Sequence, residues 1–440
     1  MTFFSLTFLL IFLPAGILLY YALPNRFKNT ALLLLSLCFY GLAQPHFLWL
    51  MAAGILFDYG MACIIHFSSK RPAAGRLACL FSFIKSGGYI LYGALCVRRG
   101  LSAPVGIWIY TLSASGYLLE LFHREAPFEQ NLVDFALYNC FFGRIFWGPY
   151  VKYTLIRPQL KKKRLTLSSV SSGLVLMMQG VAKKVVLGDS LFAFYQSLAA
   201  LEERDRTLLS CWMLLLSLAL SIHFIFSGYC DVARGLGQIF SFKMPRNIFF
   251  PLHAHSVREL VERFNISWMD YLRRQFSSVS VLFQGSNAGD IVMVIVRMLL
   301  YGAWLSFSPN GLWWGLYLAL FFLAEKYFYG RALEKLPYLL GKIYTWLAFL
   351  TSLILLARPF DDWGAFLKTM FHFEPGLWYN DTVIYILSQN YWVLTLGLLL
   401  SYPVMPKISA FFKKKWPVCA DISSVMINLG LMILIVMFLI

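Results

Sequence analysis

Leu208 to Leu236 reads LLSCWMLLLSLALSIHFIFSGYCDVARGL. Its first part, Leu208 to Phe226, carries no Asp, Glu, Lys or Arg. Crossing a hydrocarbon core of about 30 Å at a rise of about 1.5 Å per residue takes about 20 mostly apolar residues. The run 207–229 therefore reads as a membrane helix. It ends in a polar island, Ser227-Gly228-Tyr229-Cys230-Asp231-Val232-Ala233-Arg234. An ionisable group inside such a run costs about 2.5–3.5 kcal/mol on insertion scales, so it marks a candidate site. Asp231 and Arg234 are three apart and can pair on one helical face. Such a pair either fixes helix packing or lines a polar cavity.

The rest of the chain repeats this pattern. Further apolar runs occur near 3–23, 30–43, 47–67, 76–97, 101–122, 132–153, 172–196, 291–307, 311–329, 340–357, 381–402 and 420–440. Together they predict an all-α integral membrane protein, a multi-pass helical bundle of about 11–13 membrane segments, some short or re-entrant. The composition agrees. Of 440 residues, 59% are hydrophobic and only 13% charged, about half the usual share for soluble domains. That excludes an ordinary cytosolic enzyme, a disordered tail and a secreted disulfide scaffold. The formal net charge of +17 points to basic loops facing anionic lipid, the lipid bilayer being the partner, and not to nucleic acid. Met1 to Leu23 has no early basic residue, so it reads as an uncleaved first membrane helix with its C-terminal end inside.

No long polar linker divides the chain, and residues 1–440 read as a single domain. The segment 240–290, too charged to span and rich in aromatics, predicts amphipathic helices lying at the membrane interface. Lys85 sits within 76–97, which either crosses or dips and returns. Lys183 and Lys184 read as lysines snorkelling at a helix end. Arg144 and Arg358 are lone cations for carbonyls or headgroups. Lys161-Lys162-Lys163-Arg164 and Lys413-Lys414-Lys415 read as solvated cytoplasmic loops. The eight cysteines stand singly and none of the seven histidines forms an i, i+4 pair, so no metal site is expected. P-loop, GxGxxG and GxSxG motifs are absent.

The island has a second reading. Phe226 to Asp231 (FSGYCD), followed by Arg234-Gly235-Leu236, resembles the FSGYxD…GL signature of membrane-bound O-acyltransferases. The likeness is to the bacterial branch of alginate O-acetylation proteins and teichoic acid D-alanyl transferases. It continues through Pro245, Asn247, Pro251, Ser256, Arg263, Ile266, Ser267, Tyr271 and Leu272-Arg273, similar to the family's LPxNFxxPYxAxSxxxFWxRWHISLSxWLRDY. Tyr20 to Pro24, Asn29, Phe39-Tyr40-Gly41 and Pro45 resemble its N-terminal pattern. Gly106-Ile107, Tyr110-Thr111, Tyr117-Leu118 and Asn131 to Tyr138 resemble GIxxYT…YL…NLxDFxLY. Trp147-Gly148-Pro149, Lys152-Tyr153 and Gln159-Leu160 resemble AGPxxRY…QL. Gly180 to Asp189 resembles GLFKKVVIAD, and Arg358 with Lys368 to Phe371 its FRA…MF ending. These blocks stand in family order along nearly the whole chain.

The resemblance implies a helical bundle pinched around a tunnel in a bacterial cytoplasmic membrane. It implies acyl transfer from a cytoplasmic thioester donor, acyl-CoA or an acyl carrier protein, to a hydroxyl of extracytoplasmic polysaccharide or teichoic acid. The donor is a substrate and no bound cofactor is implied; an extracytoplasmic acyltransferase or esterase-like partner protein is. A histidine in such a tunnel acts as general base. Ser227, Tyr229, Asp231, Arg234, Arg263, Arg273 and Trp304 are the implied tunnel or polar-support residues.

The sequence departs from the family at the base. The family's GLWHGAS reads Gly302-Ala303-Trp304-Leu305-Ser306 here, which puts Leu305 at the catalytic histidine. RWHIS reads Arg263-Phe264-Asn265-Ile266-Ser267, which puts Asn265 at the other motif histidine. FDFSGY has Ile225 for its first acid. Leucine accepts no proton; asparagine still orients a hydroxyl or carbonyl. His223, His253 and His255 lie near the same blocks as candidate replacement bases. Two readings follow: an O-acyltransferase with impaired or altered catalysis, and an inactive relative serving as scaffold or acyl conduit. The ordered blocks argue against a third, a polytopic transporter.

Overall fold

The computed structural model describes residues 2–68, 70–163, 166–276, 287–357, 363–371 and 378–439. Arg164, Arg358 and His372 lie outside them. Among the described residues every regular element is helical. Among the described residues, eight helical runs are long and apolar enough to cross a membrane: Pro45–Phe67, Pro72–Arg98, Leu167–Ala199, Leu208–Ile239, Asn287–Leu305, Tyr338–Ala357, Asp381–Leu400 and Pro417–Leu439. Two shorter apolar helical runs, Phe8–Ala22 and Lys28–Ala43, precede them. The other apolar runs of the sequence fold as shorter helices, among them Ile107–Phe122, Leu132–Cys140 and Pro309–Ala324. This is a multi-pass helical membrane protein.

For the site, the elements that matter are α1 (Leu48–Phe67), α2 (Pro72–Arg98), α3 (Leu167–Ala182), α4 (Leu208–Ile239), α5 (Val257–Phe264), α6 (Ile266–Gln275), α7 (Asn287–Leu305) and α8 (Pro309–Ala324). Helix α4 is central: 61% of its apolar window is buried, against 17% for Asp381–Leu400. It starts at a reciprocal cap. The Thr207 hydroxyl accepts from the Ser210 N–H at 3.2 Å, and the Ser210 hydroxyl accepts from the Thr207 N–H at 2.9 Å. Two orphan amides at the helix start are thereby satisfied.

Glycines seven apart on each helix seat α3 against α4. A Cβ on Gly180 would lie 2.7 Å from the Gly228 carbonyl oxygen, and one on Gly235 would lie 2.6 Å from that of Gly173. Close backbone approach replaces the hydrophobic drive that lipid removes.

Two expectations about charged residues are settled by packing. Helix α2 runs unbroken from Pro72 to Arg98, so 76–97 does not turn back at Lys85. The Lys85 ammonium pairs with Asp58 of α1, and the Ser82 hydroxyl donates to that carboxylate at 2.7 Å. Paired and hydrogen-bonded, the charge is tolerated in mid-helix. Lys183 and Lys184, in turn, do not snorkel at a helix end. They open a wide π turn, Lys183–Asp189, inside the continuous run Leu167–Ala199. Lys184 pairs with Asp189 at 2.7 Å.

Within 240–290 the structure places two short amphipathic helices. Helix α5 buries Val257, Leu260, Val261 and Phe264, and α6 buries Trp268, Met269, Tyr271 and Leu272. Both patterns have helical spacing, with the apolar stripe turned to the core.

Candidate functional site

Helix α4 presents two neighbouring faces, about 100° apart, to two different cavities. Ile222 lines a narrow apolar crevice with Phe264, Tyr301, Leu305, Trp314 and Leu353. Phe226, one turn on, stacks on Phe264 with ring centres 5.2 Å apart. His223, Ser227 and Asp231 line a polar cavity with Lys183, Arg246 and Asn247.

The crevice sits among four of the quoted blocks. The Trp304 ring lies 5.0 Å from Trp147, 5.3 Å from Phe226 and 6.2 Å from Trp268. Leu305 is the last residue of α7. Its position depends on the turn into α8, where a Cβ on Gly302 would lie 1.9 Å from the Gly311 carbonyl oxygen. Leu305 faces apolar neighbours, so no proton acceptor exists at this position.

Asn265 is 1% exposed and separates α5 from α6. Its side-chain oxygen accepts from the Trp268 N–H at 3.3 Å, which makes it the cap of α6. Asn247 ties this segment to the polar cavity. It accepts from the Ser267 N–H at 2.9 Å and the Ile266 N–H at 3.0 Å, and its amide donates to Cys230 Sγ at 3.5 Å. The Tyr150 N–H donates to the Ser267 hydroxyl at 2.9 Å, and the Cys230 thiol donates to the Trp147 carbonyl at 3.5 Å.

Asp231 does pair with Arg234, at 3.1 Å, and it also holds Lys183 at 2.5 Å. The island on 180–189 and the island on 226–234 are therefore one cluster. Tyr229 faces away from it, its ring 4.8 Å from Phe4. Arg263 and Arg273 stand apart from both cavities. Arg263 pairs with Glu259, and exposed Arg273 lies 3.6 Å from Glu262 and 3.8 Å from Asp270. Arg144, read as a lone cation, donates to the Tyr138 carbonyl.

The sequence reading took His223 only as one of three nearby histidines. In the fold it is 4% exposed and its Nδ1 atom has no hydrogen-bond partner among the described residues. His253 and His255 pack against Tyr338 instead. The signal was present in the spacing: residues 223, 227 and 231 are each one helical turn apart. Among the described residues, no group of His, Cys, Asp and Glu is arranged to hold a metal ion.

No protein-family model matches the chain. Over 347 residues it is 29% identical to the probable alginate O-acetylase AlgI of Azotobacter vinelandii, covering 73% of this chain and 68% of the relative. Over 350 residues it is 28% identical to the probable alginate O-acetylase AlgI of Pseudomonas aeruginosa, covering 73% and 66%. The chain is a homologue of alginate and peptidoglycan O-acetylating proteins. The peptidoglycan O-acetyltransferase of Helicobacter pylori is 26% identical over 390 residues, covering 77% of this chain and 73% of the relative. The chain spans about two thirds of the length of the alginate relatives. These relatives are thus named for O-acetylation of alginate and of peptidoglycan.

Proposed function

We propose that this protein moves an acetyl or similar acyl group from a cytoplasmic thioester, acyl-CoA or an acyl carrier protein, to a hydroxyl of an extracytoplasmic polymer. The membrane is the bacterial cytoplasmic membrane, and an extracytoplasmic acyltransferase or esterase-like protein is the partner on the far side. The observation that carries this reading is the similarity to alginate and peptidoglycan O-acetylating proteins over about three quarters of the chain. A charged donor and an external polymer meet only if a protein path joins them across the bilayer.

Leu305 in its apolar crevice removes the base at the family position, which typically lowers a rate about 10²–10⁴-fold. The reading is therefore of altered or slowed transfer. A second reading, an inactive relative acting as scaffold or acyl conduit, is favoured by one observation: Asn265 is used as a helix cap.

Membranes bearing the full chain, given acetyl-labelled acetyl-CoA and alginate oligomers or peptidoglycan fragments, separate the two. Transfer by the wild type supports the enzyme. A faster rate in Leu305→His, alone or with Asn265→His, would show that donor and acceptor still meet beside position 305. No transfer from wild type or variants sinks the transferase reading and leaves the scaffold.

A further inference from the structure

The polar cavity beside α4 is built and unaccounted for. Its lining joins α4 to the Lys183–Asp189 turn and to the segment 246–250. Inside a membrane helix, a buried histidine whose Nδ1 has no hydrogen-bond partner among the described residues is a costly feature, because an unsatisfied buried polar group destabilises a fold. Ser227 and the Lys183–Asp231 pair flank it, and Arg246 adds a second cation. Asn247, in the same lining, reaches the Asn265–Ser267 segment through its bonds to the Ile266 and Ser267 amides.

We propose that this cavity is the acceptor site and that His223 takes the hydroxyl proton there, on the side of α4 adjoining the Leu305 crevice. The proposal rests on the transferase reading above. As the acceptor O–H proton passes to an imidazole nitrogen of His223, its oxygen forms a C–O bond with the thioester carbonyl. The carbonyl electron pair moves onto oxygen, which faces the Lys183 and Arg246 cations. Collapse breaks the C–S bond, and the imidazolium returns the proton to the departing thiolate. Thioester and acceptor alcohol together contain the same atoms as the ester and thiol formed, and no oxidant or further reactant is required. Ser227, 3.4 Å from Lys183 Nζ, can hydrogen-bond the incoming hydroxyl.

The test uses the full chain in membranes, acetyl-labelled acetyl-CoA, and alginate oligomers or peptidoglycan fragments as acceptor probes. Transfer by the wild type should fall about 10²–10⁴-fold in His223→Gln and stay within about twofold in His253→Gln and His255→Gln. Imidazole added to His223→Ala should restore part of the rate, which a merely structural role would not allow. A wild-type rate unchanged in both His223 variants overturns the assignment. An inert wild type with an active Leu305→His overturns it too, but leaves the transferase reading standing. If both are inert, both readings fall.

Discussion

Glu325 holds the start of helix α5 from across the fold: its Oε1 accepts from the Val257 N–H at 2.7 Å and its Oε2 from the Arg258 N–H at 2.9 Å. These are first-turn amides with no intrahelical partner, and a carboxylate suits the positive end of the helix dipole. The Tyr344 hydroxyl, donating to Oε1 at 2.9 Å, fixes the carboxylate's orientation. Because α5 supplies Phe264 to the Leu305 crevice, this contact positions one wall of the site. Glu325→Ala should cost about 1.5–3 kcal/mol, read as a lower Tm in detergent. Glu325→Gln, which keeps one acceptor, should lose less.

The Lys183–Asp231 pair joins two membrane segments in a partly buried setting. Removing Asp231 leaves Lys183 without its carboxylate beside the polar cavity, and removing Lys183 leaves Asp231 with Arg234 alone. Lys183→Met or Asp231→Leu alone should each destabilise by about 1–3 kcal/mol, while the double replacement should cost less than their sum. Chemical denaturation of the four proteins measures the coupling. Strict additivity would show that the pair does not join the segments.

Helix α3 meets α4 through backbone, so Gly228→Ala has no slack to use. Its Cβ would lie 2.6 Å from the Gly180 carbonyl oxygen. The helices must part, at a cost of about 1–3 kcal/mol, and the yield of folded protein on gel filtration should drop. Ala at Gly430, where nothing lies within 4 Å, should be neutral.

Asn265 caps α6, and its acceptor oxygen is what the cap needs. Asn265→Ala should lose about 1 kcal/mol of stability, whereas Asn265→Asp should lose little. Thermal melts of the two variants distinguish a cap from a side chain kept only to touch substrate, because a substrate contact alone would leave both melts unchanged.

Glu129, in the connection before Leu132–Cys140, gathers hydrogen bonds from Lys161 at 2.7 Å, Tyr153 at 2.5 Å and the Asn131 N–H at 3.0 Å. Burial alone would raise its carboxyl, but the bonds from Lys161 and Tyr153 outweigh it and hold the group below its ordinary value. A depressed carboxyl stabilises the fold at pH above its unfolded value of about 4.3 and stops doing so as pH falls through the folded one. Hydrogen exchange in Tyr153–Lys161 should therefore be slow at neutral pH and quicken only below about pH 4. Glu129→Gln should exchange faster already at pH 7.

Fold class was legible in the chain because membrane helices are specified locally: apolar length and the absence of charge decide each span before any packing occurs. The blocks around Ser227, Asn265 and Leu305 were legible for a similar reason, since each is contiguous. The sequence leaves Lys85 open between a crossing and a returning segment and reads Lys183 as snorkelling, because a charge inside an apolar run is tolerated only through its partner. Asp58 and Asp231 are 27 and 48 residues away. The two faces of α4 carry the same lesson. Residue type placed His223 beside Ile222, but only the crossing of α3 and the return of Asn247 put a polar cavity on one face and Leu305 on the other. Local hydropathy determines that a segment enters the membrane; which side chains then share a cavity is set by long-range contacts that no single segment contains.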